Sequence, residues 1–96
     1  MTKQSCEITV KTDTREYEGM IFTYSLTVSE SPYVSSFKLP LYSIEVELTH
    51  TDGKVTRSVC KDAFADIGKA LIFYGKIVNG LVTPIDLAYV YEDEIK

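Results

Sequence analysis

The residues able to do chemistry in this 96-residue chain are few and far apart: one histidine, His50, and two cysteines, Cys6 and Cys60. A histidine working as a general base needs a nucleophile to activate and a partner to orient its ring. Asp52 is near His50 in sequence, but the strand pairing expected around it brings no serine or cysteine alongside, so His50 reads as a surface histidine. One histidine and two distant cysteines do not make up the four ligands of a structural zinc site. Cys6 and Cys60 read as buried free thiols, with a disulfide between them left open. Glu45 and Glu47 share the wet face of a strand. A general acid needs burial to raise its pKa, and an exposed pair serves solubility instead. The five glycines are isolated from one another, so none builds a loop that cradles phosphate. No catalytic residue, cofactor site or metal site is expected.

Seven tyrosines and no tryptophan leave one further option. Tyr24, Tyr42 and Tyr74 point toward the core by their period, and a buried tyrosine seeks a hydrogen-bond partner for its hydroxyl. A cleft lined by these three and roofed by Tyr33 and Phe37 is the one small-molecule site the sequence suggests. Core packing accounts for the same residues.

Composition narrows the classes. An apolar share of 45% and a charged share of 25% suit a single globular domain spanning residues 1–96. The net charge of −4 comes with scattered lysines and arginines. Nucleic-acid binding draws its affinity from a basic stripe, so nucleic acid is not an expected partner. The first residues carry no apolar signal core, and no apolar run is long enough to span a bilayer. A soluble cytoplasmic protein with no membrane and no metal partner is the expectation.

The elements that would hold these residues read in order. Cys6, Ile8 and Val10 alternate with polar residues as in a half-buried strand, and Thr12 to Gly19 reads as a polar turn region. Met20, Phe22, Tyr24, Leu26 and Val28 line one face of a second strand. Residues 30–40 are bracketed by Pro32 and Pro40 and read either as a loop pinned by aromatics or as a flap. Tyr42, Ile44, Val46 and Leu48 line one face of a third strand. Asp52-Gly53 signals a two-residue hairpin loop. The apolar pattern then sets Val46 opposite Val59 and Leu48 opposite Arg57.

The last third reads as two helices. The first is a long amphipathic helix starting at Asp62, with Ala63, Phe64, Ile67, Ala70, Leu71, Tyr74, Ile77 and Val78 on one broad face. Gly68 and Gly75 lie at the edge of that face and suggest a close approach. Phe73 falls on the wet stripe with Ile72 at its margin, which marks the pair as a candidate interface. Gly80 suits a left-handed helix cap. Thr83-Pro84, with Asp86 three residues beyond Thr83, opens a second, short helix, and Val82 and Leu87 occupy staple positions. Glu92-Asp93-Glu94 sits against the helix dipole as a solvated tail or an acidic contact. The expected fold is α+β: a four-stranded antiparallel sheet, a long helix packed on one face, and a short C-terminal helix.

Thr83-Pro84-Ile85-Asp86-Leu87-Ala88-Tyr89-Val90-Tyr91-Glu92-Asp93 resembles the C-terminal signature of a family of short, uncharacterised proteins from Gram-positive anaerobes. Tyr42-Ser43-Ile44-Glu45-Val46 is similar to that family's middle strand. The chain departs from the pattern at Asp86, where a histidine is expected, and at Tyr89, where an aspartate is expected. The resemblance implies an architecture and no activity. The functional expectation is a noncatalytic protein-interaction or regulatory module, a homodimer or a subunit of a complex. The alternative is a small-ligand sensor or minor enzyme using the tyrosine cleft.

Overall fold

The computed structural model describes residues 7–30 and 40–95. Strands β1 (Ile8–Tyr17), β2 (Met20–Glu30), β3 (Pro40–Thr49) and β4 (Val55–Phe64) form one antiparallel sheet in the order β1-β2-β3-β4. Helices α1 (Ile67–Asn79) and α2 (Pro84–Ile95) follow. With 13 and 12 residues they are nearly equal in length, not one long and one short. The alternation in the two middle strands is that of the expected core. Phe22, Tyr24 and Leu26 of β2 and Tyr42, Ile44, Val46 and Leu48 of β3 are buried in one cluster with Ala70, Phe73, Tyr74 and Ile77 of α1 and Leu87 of α2. Burying each large apolar side chain contributes about 1.5–3 kcal/mol.

The first strand departs from expectation. Residues 12–17 are strand, and the turn is Glu18-Gly19, with φ of 53° and 82°. Positive φ at both central residues is what a tight hairpin turn of matching twist requires. At Gly19 a Cβ would also stand 3.0 Å from Thr51 Cγ2. A register shift between Thr9 and Lys11 leaves Val10 as the extra residue of a bulge. The bulge changes which face follows. Lys11, Asp13 and Arg15 stand opposite Leu26, Tyr24 and Phe22, on the helix side of the sheet. Ile8 and Val10 are exposed where a half-buried strand was expected.

The β3–β4 hairpin is one residue off the expected register: Leu48 pairs with Thr56 and Val46 with Ser58. The His50 N–H donates to the Lys54 carbonyl at 2.7 Å and the Gly53 N–H to the His50 carbonyl at 2.9 Å. These bonds close a loop of Thr51, Asp52 and Gly53, with Gly53 at φ 93° in the left-handed position that such a loop favours. Val55 and Val59 therefore face outward and are exposed. The helix side of β4 is only partly covered, as the half-buried Thr56, Ser58 and Cys60 show. Valines gain little from burial there, so loop geometry prevails over the apolar match.

Asp62 to Phe64, expected as the start of the first helix, complete β4. Pairing jumps from Ile44–Cys60 to Tyr42–Phe64, and Asp62 takes φ 53° in the resulting irregularity. The Asp62 N–H donates to Ser43 Oγ at 2.9 Å, which gives the one buried polar side chain among the described residues its partner. The helix cap is Asp66, whose carboxylate accepts the Lys69 N–H at 3.3 Å. At the far end Val82 N–H donates to the Ile77 carbonyl and Leu81 N–H to the Val78 carbonyl. This is the paired-bond cap that needs a left-handed residue. Leu81, at φ 52°, supplies it; Gly80, at −89°, does not. Gly68 and Gly75 mark no close approach: a Cβ at Gly75 would meet nothing within 4 Å, and one at Gly68 would meet only the Asp66 carboxylate. The α2 start is as expected, with Thr83 Oγ1 accepting the Asp86 N–H at 3.3 Å and donating to the Asp86 carboxylate at 3.2 Å.

The candidate interface pair is split. Phe73 is fully buried, its ring centroid 5.5 Å from Phe64 and 5.8 Å from Tyr91, whereas Ile72 is 60% exposed. A helix starting at Asp66 and facing both β4 and α2 turns Phe73 inward. Phe73→Ala should therefore cost about 3–5 kcal/mol in urea denaturation, while Ile72→Ala should stay within about 0.5 kcal/mol. Glu18→Asn should raise stability by up to about 1 kcal/mol in the same assay, because asparagine tolerates a left-handed region that costs other residues about 1–2 kcal/mol.

Candidate functional site

β1 is an edge strand that neither helix covers: of its residues only Asp13 is even half-buried. α1 packs over the interior of the sheet and leaves a flank facing this strand. The result is an open groove of about 450 Å³, with Lys11 and Asp13 on its floor and Leu71, Tyr74 and Val78 on its helical wall. Leu71 is 42% exposed, and Ile67, four residues earlier on the same flank, is 43% exposed. An apolar wall thus faces a charged floor.

Hydrogen bonds tie the floor to the wall. The Tyr74 hydroxyl lies 2.8 Å from Asp13 Oδ2 and 3.0 Å from the Tyr24 carbonyl. It has one proton for two acceptors, and the ionised carboxylate is the stronger one. Arg15 donates to the Val78 carbonyl at 2.8 Å, and the Tyr24 hydroxyl donates to the Val82 carbonyl at 3.0 Å. The Val78 carbonyl lies in the last turn of α1 and also takes the Leu81 N–H, while Val82 lies in the link between the two helices. Burial pushes the Tyr24 hydroxyl up to about 12, with the Arg15 charge pulling modestly the other way. Burial, followed by the bond to Asp13 and its negative charge, pushes Tyr74 above the usual phenol range. Both phenols stay protonated as donors across physiological pH. The network positions a strand; it holds no nucleophile paired with a base.

The other residues singled out by sequence are dispersed. Tyr24, Tyr42 and Tyr74 are packed within the core, while Tyr33 and Phe37, expected to roof a cleft over them, fall outside the described residues. His50 is half-buried, with Nε2 3.0 Å from Thr56 Oγ1, a neighbour brought there by the observed register. Glu45 pairs with Arg57 at 2.9 Å and Glu94 with Lys76 at 2.9 Å, both at the surface, where such pairs contribute little. Cys60 is half-buried and burial raises its thiol pKa; Cys6 lies outside the described residues. Among the described residues no three His, Cys, Asp or Glu side chains are grouped to hold a metal ion, and no helix is long and apolar enough to cross a membrane. Lys11, Asp13 and Arg15 were hidden from a reading by apolar alternation. Their trace is the alternation of Thr12 and Thr14 with charged residues, strand-like in propensity but with no apolar side.

The sequence model of DUF6514, a family of unknown function, matches residues 3–96, and the chain belongs to that family. No curated protein and no solved structure matches it.

Tyr74→Phe should destabilise the fold by about 1–2 kcal/mol, since it leaves the half-buried Asp13 carboxylate without its donor. Alkaline stability should follow the raised phenols. Above pH 10 the unfolded chain loses phenolic protons that the folded chain still holds, so stability falls as pH climbs toward the folded value of about 12 for Tyr24. Urea midpoints measured from pH 8 upward should show this fall, and Tyr24→Phe should flatten it.

Proposed function

With membership in a family of unknown function as the premise, we propose that this chain is a noncatalytic module that binds another protein through the groove between α1 and β1. The observation that carries this reading is the uncovered helix side of β1 facing the exposed Leu71 across the groove. An exposed edge strand offers unpaired backbone groups. An apolar wall above them gives a partner strand something to pack on, the arrangement used when peptides add to a sheet. Further apolar side chains exposed on the helices, Ile72, Ile85 and Tyr89 among them, extend the surface available to a larger partner. We place the module in the cytoplasm and read Thr83–Asp93 as the part that carries family identity, both on the sequence expectations above.

The test is the apparent size of the protein in its native cell extract. Size-exclusion elution should place it in a species well above its own 10.8 kDa, and Leu71→Asp should release it to smaller size while the purified variant keeps its circular dichroism. Elution of the unaltered protein as a monomer would refute the reading.

A further inference from the structure

Resting on that reading of the groove, we propose that its partner is a second copy of this chain, joined through β1 in an antiparallel register centred on Thr14. The backbone supports this first. A two-residue turn makes Tyr17 and Met20 a hydrogen-bonded pair. Bonded and non-bonded pairs alternate along an antiparallel ladder. Lys11, Asp13, Arg15 and Tyr17 thus direct their N–H and C=O groups to β2. Those of Thr12, Thr14 and Glu16 point to the free edge, and Thr14 is the midpoint of the regular stretch between the Val10 bulge and the turn.

Charge then selects the occupant. Along the helix side of β1 the sequence runs Lys11, Asp13, Arg15: positive, negative, positive. Centring on Thr14 sets Asp13 of each chain opposite Arg15 of the other, and Lys11 opposite Tyr17, whose ring is 51% exposed and can receive a cation. These are non-hydrogen-bonded positions, where facing side chains come closest. Centring on Asp13 would set that acid against itself and Lys11 against Arg15. Centring on Thr12 would run into the Val10 bulge. Charges on an edge strand normally repel pairing; here they exclude a strand of foreign sequence and admit one carrying the same alternation. Arg15 can keep its bond to Val78 and still present other N–H groups. Asp13 keeps Oδ1 for the second copy, because Oδ2 takes the Tyr74 hydroxyl. The opposite edge, β4, is broken by the irregularity at Asp62, and its Arg57 is already paired with Glu45. A two-fold pair built on β1 uses one patch twice and closes on itself.

Sedimentation of the purified full chain across the micromolar range should give twice the 10.8 kDa mass. Arg15→Asp alone and Asp13→Arg alone each set like charges against one another and should sediment as monomers. Mixed in equal amounts, the two variants oppose two acids to two bases and should associate again. Thr14→Pro removes an N–H that no strand of the fold uses and should also abolish the dimer, with the far-ultraviolet circular dichroism of the parent. A wild-type chain that stays monomeric overturns the proposal, as does a dimer indifferent to these variants or a mixture that fails to associate. A purified monomer that still elutes large from native extract refutes the second copy and leaves the partner-binding reading intact. A dimer lost with Ile72→Asp but kept with Arg15→Asp refutes the β1 pairing in the same way.

Discussion

The packing of Phe73 between Phe64 and Tyr91 sets the positions of the other parts. The three rings come from α1, from the end of β4 and from α2, with centroids within 5.8 Å of one another. Such tilted and edge-on pairs contribute about 0.5–1.5 kcal/mol each beyond the area they bury. Phe64 lies on the helix side of β4, and the two extra residues around Asp62, held by Ser43, set it opposite Tyr42. The Tyr91 hydroxyl, donating to the Ala63 carbonyl at 2.7 Å, fixes α2 on the same strand end. α2 is drawn toward β4 while α1 lies across β2, β3 and β4, and the flank of α1 that carries Leu71 is left overlooking an uncovered β1.

That uncovered strand still has to be held to the rest. It has little apolar surface facing the helices, so its attachment there is polar: Asp13 to Tyr74 and Arg15 to the end of α1. A strand with no apolar side thereby gains its anchors. No buried side-chain nitrogen or oxygen among the described residues is left without a partner.

What the sequence revealed and what it concealed divide along physical lines. β2, β3 and the Thr83-Pro84 helix start were legible because each rests on a signal local to a few residues, either strict alternation with a buried side or a cap with its staple. The misreadings fell where a backbone irregularity or a half-covered rim decides the outcome. At Val10 an extra residue reverses which face is inner, and no apolar pattern downstream reports the reversal. In β4 the valines outvoted a loop whose left-handed glycine had the stronger preference. Phe73 sits beside Ala70 and Ile77 on the helix surface, and its burial depends on Phe64 and Tyr91, which the period of α1 alone does not carry. The groove was out of reach for the same reason, since its floor exists only once the bulge is placed.

The strand order bears on how the chain acquires its shape. Each strand pairs with its neighbour in sequence, and two of the three links are tight turns, Glu18-Gly19 and the loop at Asp52-Gly53. Pairings this local close short loops, and topologies of low contact order fold fast for their size. The sheet can thus assemble as two independent hairpins that zip together through β2 and β3, with the helices arriving afterwards on a surface already laid down. Until they dock, the apolar side of that sheet is bare. The polar side of β1 then protects one edge during the interval when sticking to a stranger would be easiest.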